Sequence, residues 1–216
     1  LGRPTPSWAG GSRAGPPGPA GARSPGLRRA AAGLLSVLLL LGFMAPASPE
    51  EMETTAQQAL LVDAETGAVL FSKDADASFP PAALAKLMTM ELVFDALKAG
   101  QAKPDDVYTV SENAWRTGGA PSGGSTMFAK VKSRIALSDL IQGAIVQSAN
   151  DACIVIAEGM AGSEAAFADH MTQRARDLGL ERSTFRNATG LSADGQVVTA
   201  GGALGLAPPP PRTPPP

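Results

Sequence analysis

The chain alternates between wholly apolar runs, short strand-like runs and stretches with helical spacing. From Ala30 to Ala47 no charge interrupts it, and Leu34 to Leu41 is apolar apart from Ser36. Ala59-Leu60-Leu61-Val62-Asp63 and Ala68-Val69-Leu70-Phe71 flank Ala64-Glu65-Thr66-Gly67, a pattern that predicts a β-hairpin turning on a glycine. Pro80 and Pro81 punctuate the chain and favour a helix start. From Ala82 to Ala99 the apolar positions Leu84, Leu87, Met88, Met90, Leu92, Phe94 and Leu97 predict a long, mostly buried helix stopped by Gly100.

Residues 101–134 are mixed and rich in glycine and serine around Thr117 to Ser125, which reads as loop with short strands. Ser138-Asp139 is the expected N-cap of a helix to about Gln147. After a break at Ser148-Ala149-Asn150, a second helix is expected from Asp151 to about Met160. Ser163 caps a third, running through Leu178 and closed by Gly179. Ala166, Phe167, His170, Met171 and Ala175 form its apolar stripe, with His170 expected at the helix edge. From Gly201 the composition changes: Pro208 to Pro211 and Pro214 to Pro216 exclude helix and inner strand. Residues 201–216 are therefore expected to be a Pro-rich, non-homologous tail, and the abrupt switch fits a chain that ends early better than a polyproline II ligand.

Charge adds an address. Residues 1–29 carry Arg3, Arg13, Arg23, Arg28 and Arg29 and no acid, whereas all 20 acidic residues lie between 50 and 200. A middle that acidic argues against nucleic acid as a partner. Arg28-Arg29, the uncharged run and the small-x-small ending Ala45-Pro46-Ala47 follow the layout of a secretory signal peptide. The alternative for 28–47 is a membrane anchor, since the run approaches the ~17–20 residues that span a bilayer. Residues 1–27 are expected to be a disordered leader, and the remainder to be exported to a periplasmic or other extracytoplasmic compartment with possible membrane association. The single cysteine, Cys153, rules out an internal disulfide framework and reads as a small buried hydrophobe in Ala-Cys-Ile-Val-Ile-Ala. One histidine and one cysteine leave almost no raw material for a His-bearing triad or a zinc site, and no cofactor is expected.

The candidate chemistry lies in two short segments. Pro81-Ala82-Ala83-Leu84-Ala85-Lys86-Leu87-Met88-Thr89 has the form of an S-x-x-K segment with alanine in the serine's place, and Ser148-Ala149-Asn150 is an S-x-N. In S-x-x-K the serine opens a helix and the lysine lies one turn on, on the same face. Close approach and desolvation let the lysine shed its proton and act as base for the hydroxyl. Each motif alone is weak, and their order and surroundings carry the signal. Phe79 to Thr89, Asn113-Ala114-Trp115, Gly124-Ser125-Thr126-Met127-Phe128, Ser138-Asp139-Leu140-Ile141, Ile145 to Ala152 and Phe185-Arg186-Asn187-Ala188-Thr189-Gly190-Leu191 follow one another. Over about residues 56–200 this string resembles the serine-type D-alanyl-D-alanine carboxypeptidases of peptidase family S11, the low-molecular-mass penicillin-binding proteins.

The resemblance implies an α+β fold of the penicillin-binding protein/β-lactamase-like transpeptidase type. Residues 48–200 would form part of the catalytic domain: an N-terminal hairpin plus a helical region, truncated before the remaining strands of the sheet. It implies acyl-enzyme trimming of the terminal D-alanine from peptidoglycan stem pentapeptides, with the stem peptide ending in D-Ala-D-Ala as partner and β-lactams as ligands of active relatives. Position by position, Ala83 takes the nucleophile's place, Lys86 matches the general base, and Ser148 and Asn150 match the S-x-N pair. The family's K-T-G is missing after S-x-N, since the last lysine is Lys132; Arg116-Thr117-Gly118 is a lookalike on the wrong side. Loss of the nucleophile in a serine protease costs on the order of 10⁶ in kcat, so the chain as written is expected to be inactive. A non-catalytic peptidoglycan- or β-lactam-binding relative and a truncated gene product are the alternatives.

Overall fold

The computed structural model describes residues 52–206. The expected leader, the signal or anchor segment and the prolines of the tail lie outside the described residues.

Strands β1 (Ala59–Val62) and β2 (Val69–Lys73) pair antiparallel, with Leu61 opposite Phe71 and an irregularity between Leu61 and Val62. Their turn is built by Asp63, whose Oδ1 accepts from Thr66 N at 2.7 Å and from Thr66 Oγ1 at 2.6 Å. Gly67 follows with φ +74°, the left-handed conformation that glycine adopts without strain. The Thr66 hydrogen bonds also hold the Asp63 carboxyl below its ordinary value.

The helix expected over 82–99 begins later. Ala82–Leu84 is a single 3₁₀ turn and the α-helix α1 covers Ala85–Lys98. Ala82 has φ +46°, so the chain enters through a left-handed residue that the alanine-rich sequence does not announce. Only one side of α1 is buried: Ala85, Met88, Thr89, Met90, Val93 and Ala96 face inward. Leu84 and Phe94 are exposed, which corrects the expectation of a mostly buried helix.

In the glycine-rich region, β3 (Val107–Thr109) pairs antiparallel with β4 (Arg134–Ala136), Tyr108 opposite Ile135. A one-turn π-helix, Ala114–Gly118, lies between them and has no periodic signature in the sequence. Helix α2 spans Leu137–Val146 with Ala136 at its N-cap and no side-chain cap, so Ser138 and Asp139 sit inside the first turn and not at the expected cap. Helix α3 (Asn150–Ala161) follows, then α4 (Glu164–Asp177), where Ser163 Oγ accepts from Ala166 N at 3.1 Å as the sequence predicts. Gly179 (φ +75°) closes α4, and His170 lies exposed on it. Helix α5 (Ala200–Gly205) is capped by Thr199, whose Oγ1 accepts from Gly202 N. It runs across the boundary placed at residue 200, because Thr199 supplies an N-cap and the prolines begin only at Pro208.

Helix α3 is the centre of this unit. Its residues Asn150 to Ala157 are all buried, and α1, α2, α4 and the π-turn surround it. Met88 and Val93 of α1, Leu137 and Leu140 of α2, and Phe167 and Met171 of α4 close over Cys153, Ile154 and Ile156. A helix apolar all round is a core helix. It fixes both candidate segments, since one opens α1 and the other leads into α3.

Candidate active site

Ala83 sits exposed in the 3₁₀ turn that opens α1, and Lys86 lies three residues on. Across from them runs Asn187-Ala188-Thr189-Gly190. Asn187 Oδ1 folds this segment by accepting from Thr189 N at 3.2 Å, Thr189 Oγ1 at 3.1 Å and Gly190 N at 2.7 Å. Buried Gln196 holds the segment's start, its Oε1 accepting from Arg186 N and Asn187 N. The turn aims two carbonyls at α1: Ala188 O accepts from Thr89 Oγ1 at 2.7 Å and Thr189 O accepts from Lys86 Nζ at 2.9 Å. Glu164 of α4 steadies it from behind by accepting from Ala188 N at 3.1 Å, and burial holds that carboxyl above its ordinary value.

Lys86 is half-buried. Desolvation lowers its pKa, and the nearby Cys153 opposes that shift. Cys153 is itself buried deeply enough for its thiol to be pushed up to about 12, so it stays protonated and unreactive. No carboxylate forms an ion pair with Lys86 among the described residues.

The Ser-x-Asn segment is set by its neighbour Asp151, which the motif reading passed over. The fully buried Asp151 carboxylate accepts from Thr126 Oγ1 at 2.7 Å, Met127 N at 3.0 Å, Ala129 N at 3.1 Å and Ala152 N at 3.0 Å. Asn150 N donates to Ser125 O at 2.8 Å, and Gly124 passes close to the Asn150 side chain.

Ser148 bends the chain between α2 and α3 with φ +52°, a left-handed conformation that a non-glycine residue holds only where its surroundings fix it. The Ser148 hydroxyl and the Asn150 amide make no hydrogen bond to protein among the described residues. Arg116-Thr117-Gly118 belongs to the π-turn, where Gly118 backs onto Asp151: a Cβ there would lie 2.6 Å from Asp151 N.

Two hollows flank α1. The larger, about 750 Å³, lies between Leu92 and Ala96 of α1 and Met160, Phe167, His170 and Arg174, and is lined by none of Ala83, Lys86, Ser148 or Asn150. The smaller, about 240 Å³, is lined by Pro80, Ala82, Gly190, Ser192 and Asp194 and adjoins the entry to α1. Thr89, Asp151, Asn187 and Gly190 stand in the segments that carry the resemblance, but sequence reasoning gave them no role in the site. The readable signals were an acid heading an apolar helix and an Asn-x-x-Gly turn.

Comparison with known proteins identifies the family and the fold. A profile of peptidase family S11, D-alanyl-D-alanine carboxypeptidase, matches residues 44–205. The chain is 41% identical over 177 residues to the D-alanyl-D-alanine carboxypeptidase DacC of Escherichia coli, an alignment covering 81% of this chain and 44% of that protein. It is 35% identical over 150 residues to DacF of Bacillus subtilis, covering 69% of this chain and 37% of the relative. Among solved structures, DacD of Francisella tularensis superposes with a TM-score of 0.68 at 35% identity, covering 73% of this chain and 37% of that one. Penicillin-binding protein 6B of Escherichia coli gives 0.67 at 36% identity, covering 74% and 51%. The chain thus spans less than half the length of these curated relatives. With the family profile matched along most of its length and the α+β arrangement shared with these solved structures, the chain belongs to the S11 family of D-alanyl-D-alanine carboxypeptidases.

Proposed function

We propose that this chain is a family member whose site meets the D-Ala-D-Ala end of a peptidoglycan stem peptide without forming an acyl-enzyme. The observation that carries this is Ala83, a methyl group exposed one turn ahead of Lys86. Acyl transfer by this family's route needs an oxygen lone pair there, and alanine has none. Lys86 keeps the features of a general base: partial burial, a lowered pKa and no ion-paired carboxylate among the described residues. It has no hydroxyl at position 83 to deprotonate. The Ser148 hydroxyl and the Asn150 amide, which have no hydrogen-bond partner among the described residues, are groups suited to hydrogen-bonding a peptide. The names of the relatives supply the ligand class, and the uncharged segment at 30–47 supports export to the compartment where peptidoglycan lies.

Two measurements on the purified chain test this. No D-alanine is expected from a stem-peptide mimic ending in D-Ala-D-Ala, and labelled penicillin is expected to leave no hydroxylamine-labile ester. Release of D-alanine, or an ester-linked label, overturns the reading. Equilibrium dialysis with the same mimic tests the binding half, and indifference to the peptide defeats it.

A further inference from the structure

We propose that the loop from Phe128 to Arg134 is a docking surface for an anionic lipid bilayer, separate from the uncharged run at 30–47. Phe128 is the first observation. Its neighbours Thr126 and Ala129 are buried, and the Asp151 carboxylate holds both, accepting from Thr126 Oγ1 at 2.7 Å and Ala129 N at 3.1 Å. Thr126 Oγ1 in turn accepts from Phe128 N at 3.0 Å. Between these anchors Phe128 takes φ +59°, rare for a bulky residue, and stands 72% exposed. Such strain persists only where the surroundings fix it, so the outward position of the ring is built into the loop.

The turn that follows sets charge beside apolar surface. Lys130 O accepts from Ser133 N at 3.0 Å and from Ser133 Oγ at 2.6 Å, and Lys132 N donates to Val110 O at 2.8 Å. The tip Val131-Lys132 is thereby pinned, with Lys132 at φ +64°. Lys130, Val131, Lys132 and Arg134 are all exposed. From Asn113 to Ser138 the chain has no acid, although its 20 acids all fall between residues 50 and 200. Glu112, just before that stretch, is taken up by Arg116. Helix α2 runs alongside, since a Cβ on Gly143 would meet Met127, and Ile145 and Val146 of its last turn are exposed too.

This combination selects a lipid surface. Anionic headgroups attract lysine and arginine, each worth about a fivefold gain in binding close to the surface. An aromatic and an aliphatic side chain interleaved with those charges need an apolar phase just beneath them, which the headgroup boundary of a bilayer supplies. A soluble polyanion would pair with the lysines and leave Phe128 and Val131 in water.

The test uses the full chain and a readout confined to the loop, because residues 28–47 are themselves expected to meet membranes. Cys153 is buried with its thiol protonated, so an environment-sensitive fluorophore attaches to a cysteine introduced by Val131→Cys, with Ala64→Cys in the exposed hairpin turn as control. Phosphatidylcholine vesicles holding about one third phosphatidylglycerol are expected to shift the label at 131 to the blue and open it to quenching by doxyl lipid. The label at 64 should not move. High salt, or vesicles of phosphatidylcholine alone, should abolish the shift. Phe128→Ser should raise the lipid needed for half the shift by about tenfold, and Lys130→Gln with Lys132→Gln by about 25-fold. All three side chains are exposed, so the fold does not depend on them. A label at 131 that stays in water on the anionic vesicles overturns the inference, even if the chain binds them through another segment. An equal shift on neutral vesicles, or an unchanged lipid requirement in Phe128→Ser, also defeats it. Polyglutamate shifting the label as far as the vesicles do would assign the loop to an acidic macromolecule and not to lipid.

Discussion

Gly190 lies against the carbonyl of Ala82 so closely that no side chain fits between them: a Cβ on Gly190 would overlap Ala82 O and press on Ala85 Cβ at 3.2 Å. Two distant segments, the entry to α1 and the Asn187–Gly190 turn, are thereby locked at backbone distance. Both residues have positive φ, +46° at Ala82 and +84° at Gly190. The turn can place the Thr189 carbonyl over Lys86 only because residue 190 has no side chain.

Gly190→Ala should therefore destabilise the fold by about 2–4 kcal/mol, combining left-handed strain with a clash against backbone that cannot swing aside. Urea unfolding followed by circular dichroism measures it. A loss below about 0.5 kcal/mol would mean that the turn shifts freely and does not set the position of Thr189.

Asp151 is the second fastener. It accepts four hydrogen bonds with no exposed surface. Asp151→Ala leaves those donors buried without an acceptor, and about 3–4 kcal/mol should be lost. The matching fall in melting temperature is roughly 10 °C for a domain of this size. Asp151→Asn keeps the shape and one acceptor and should fall between. Equal melting temperatures for the parent and Asp151→Ala would show that the Thr126–Ala129 segment is held by other contacts.

Local chemistry made part of this structure readable in advance. The hairpin follows from Gly67 and the apolar runs around it, and α4 follows from Ser163 and Gly179. The burial of Cys153 and the edge position of His170 follow from their neighbours in sequence. The rest depends on contacts between residues far apart in the chain. Lys86 meets Thr189 across 103 residues, and nothing local to either predicts the pairing. Ala82 and Ser148 take positive φ although neither is glycine, because packing overrides their own preference. Leu84 and Phe94 fit the helical period yet stay exposed, since periodicity marks apolar positions and not what covers them. The candidate site was legible as residue types and spacing. Its supports, Asp151, Asn187 and Gly190, were not, because a buried acid and a turn glycine reveal their partners only after folding.

Cys153 should make the fold sensitive to alkali. Its thiol ordinarily titrates near 9.0 and burial raises it to about 12. Between these values the unfolded chain releases this proton and the folded chain keeps it, so stability falls as pH rises through that window. The slope from this one group approaches about 1 kcal/mol per pH unit. Cys153→Ala removes the contribution, so the parent should lose ground to the variant from pH 9 upward. Urea midpoints at pH 8, 9, 10 and 11 measure the difference, and a constant difference would mean that the thiol reaches solvent.

Lys86 should show the opposite dependence. Its ordinary pKa of 10.5 is lowered by burial in the folded chain, so below 10.5 the unfolded state holds this proton more tightly than the folded one. The stability associated with Lys86 is therefore full above 10.5 and is lost as pH falls through the lowered value. Lys86→Met has no such proton. Its stability relative to the parent should be highest near neutral pH and decline as pH approaches 10.5. Because the ammonium is only half-buried, solvent screening keeps this change within about 1 kcal/mol. Paired urea titrations from pH 6 to 10 resolve it once the Cys153→Ala background removes the competing thiol. A flat difference would show that the ammonium stays solvated, and the case for Lys86 as a base would then lose its physical footing.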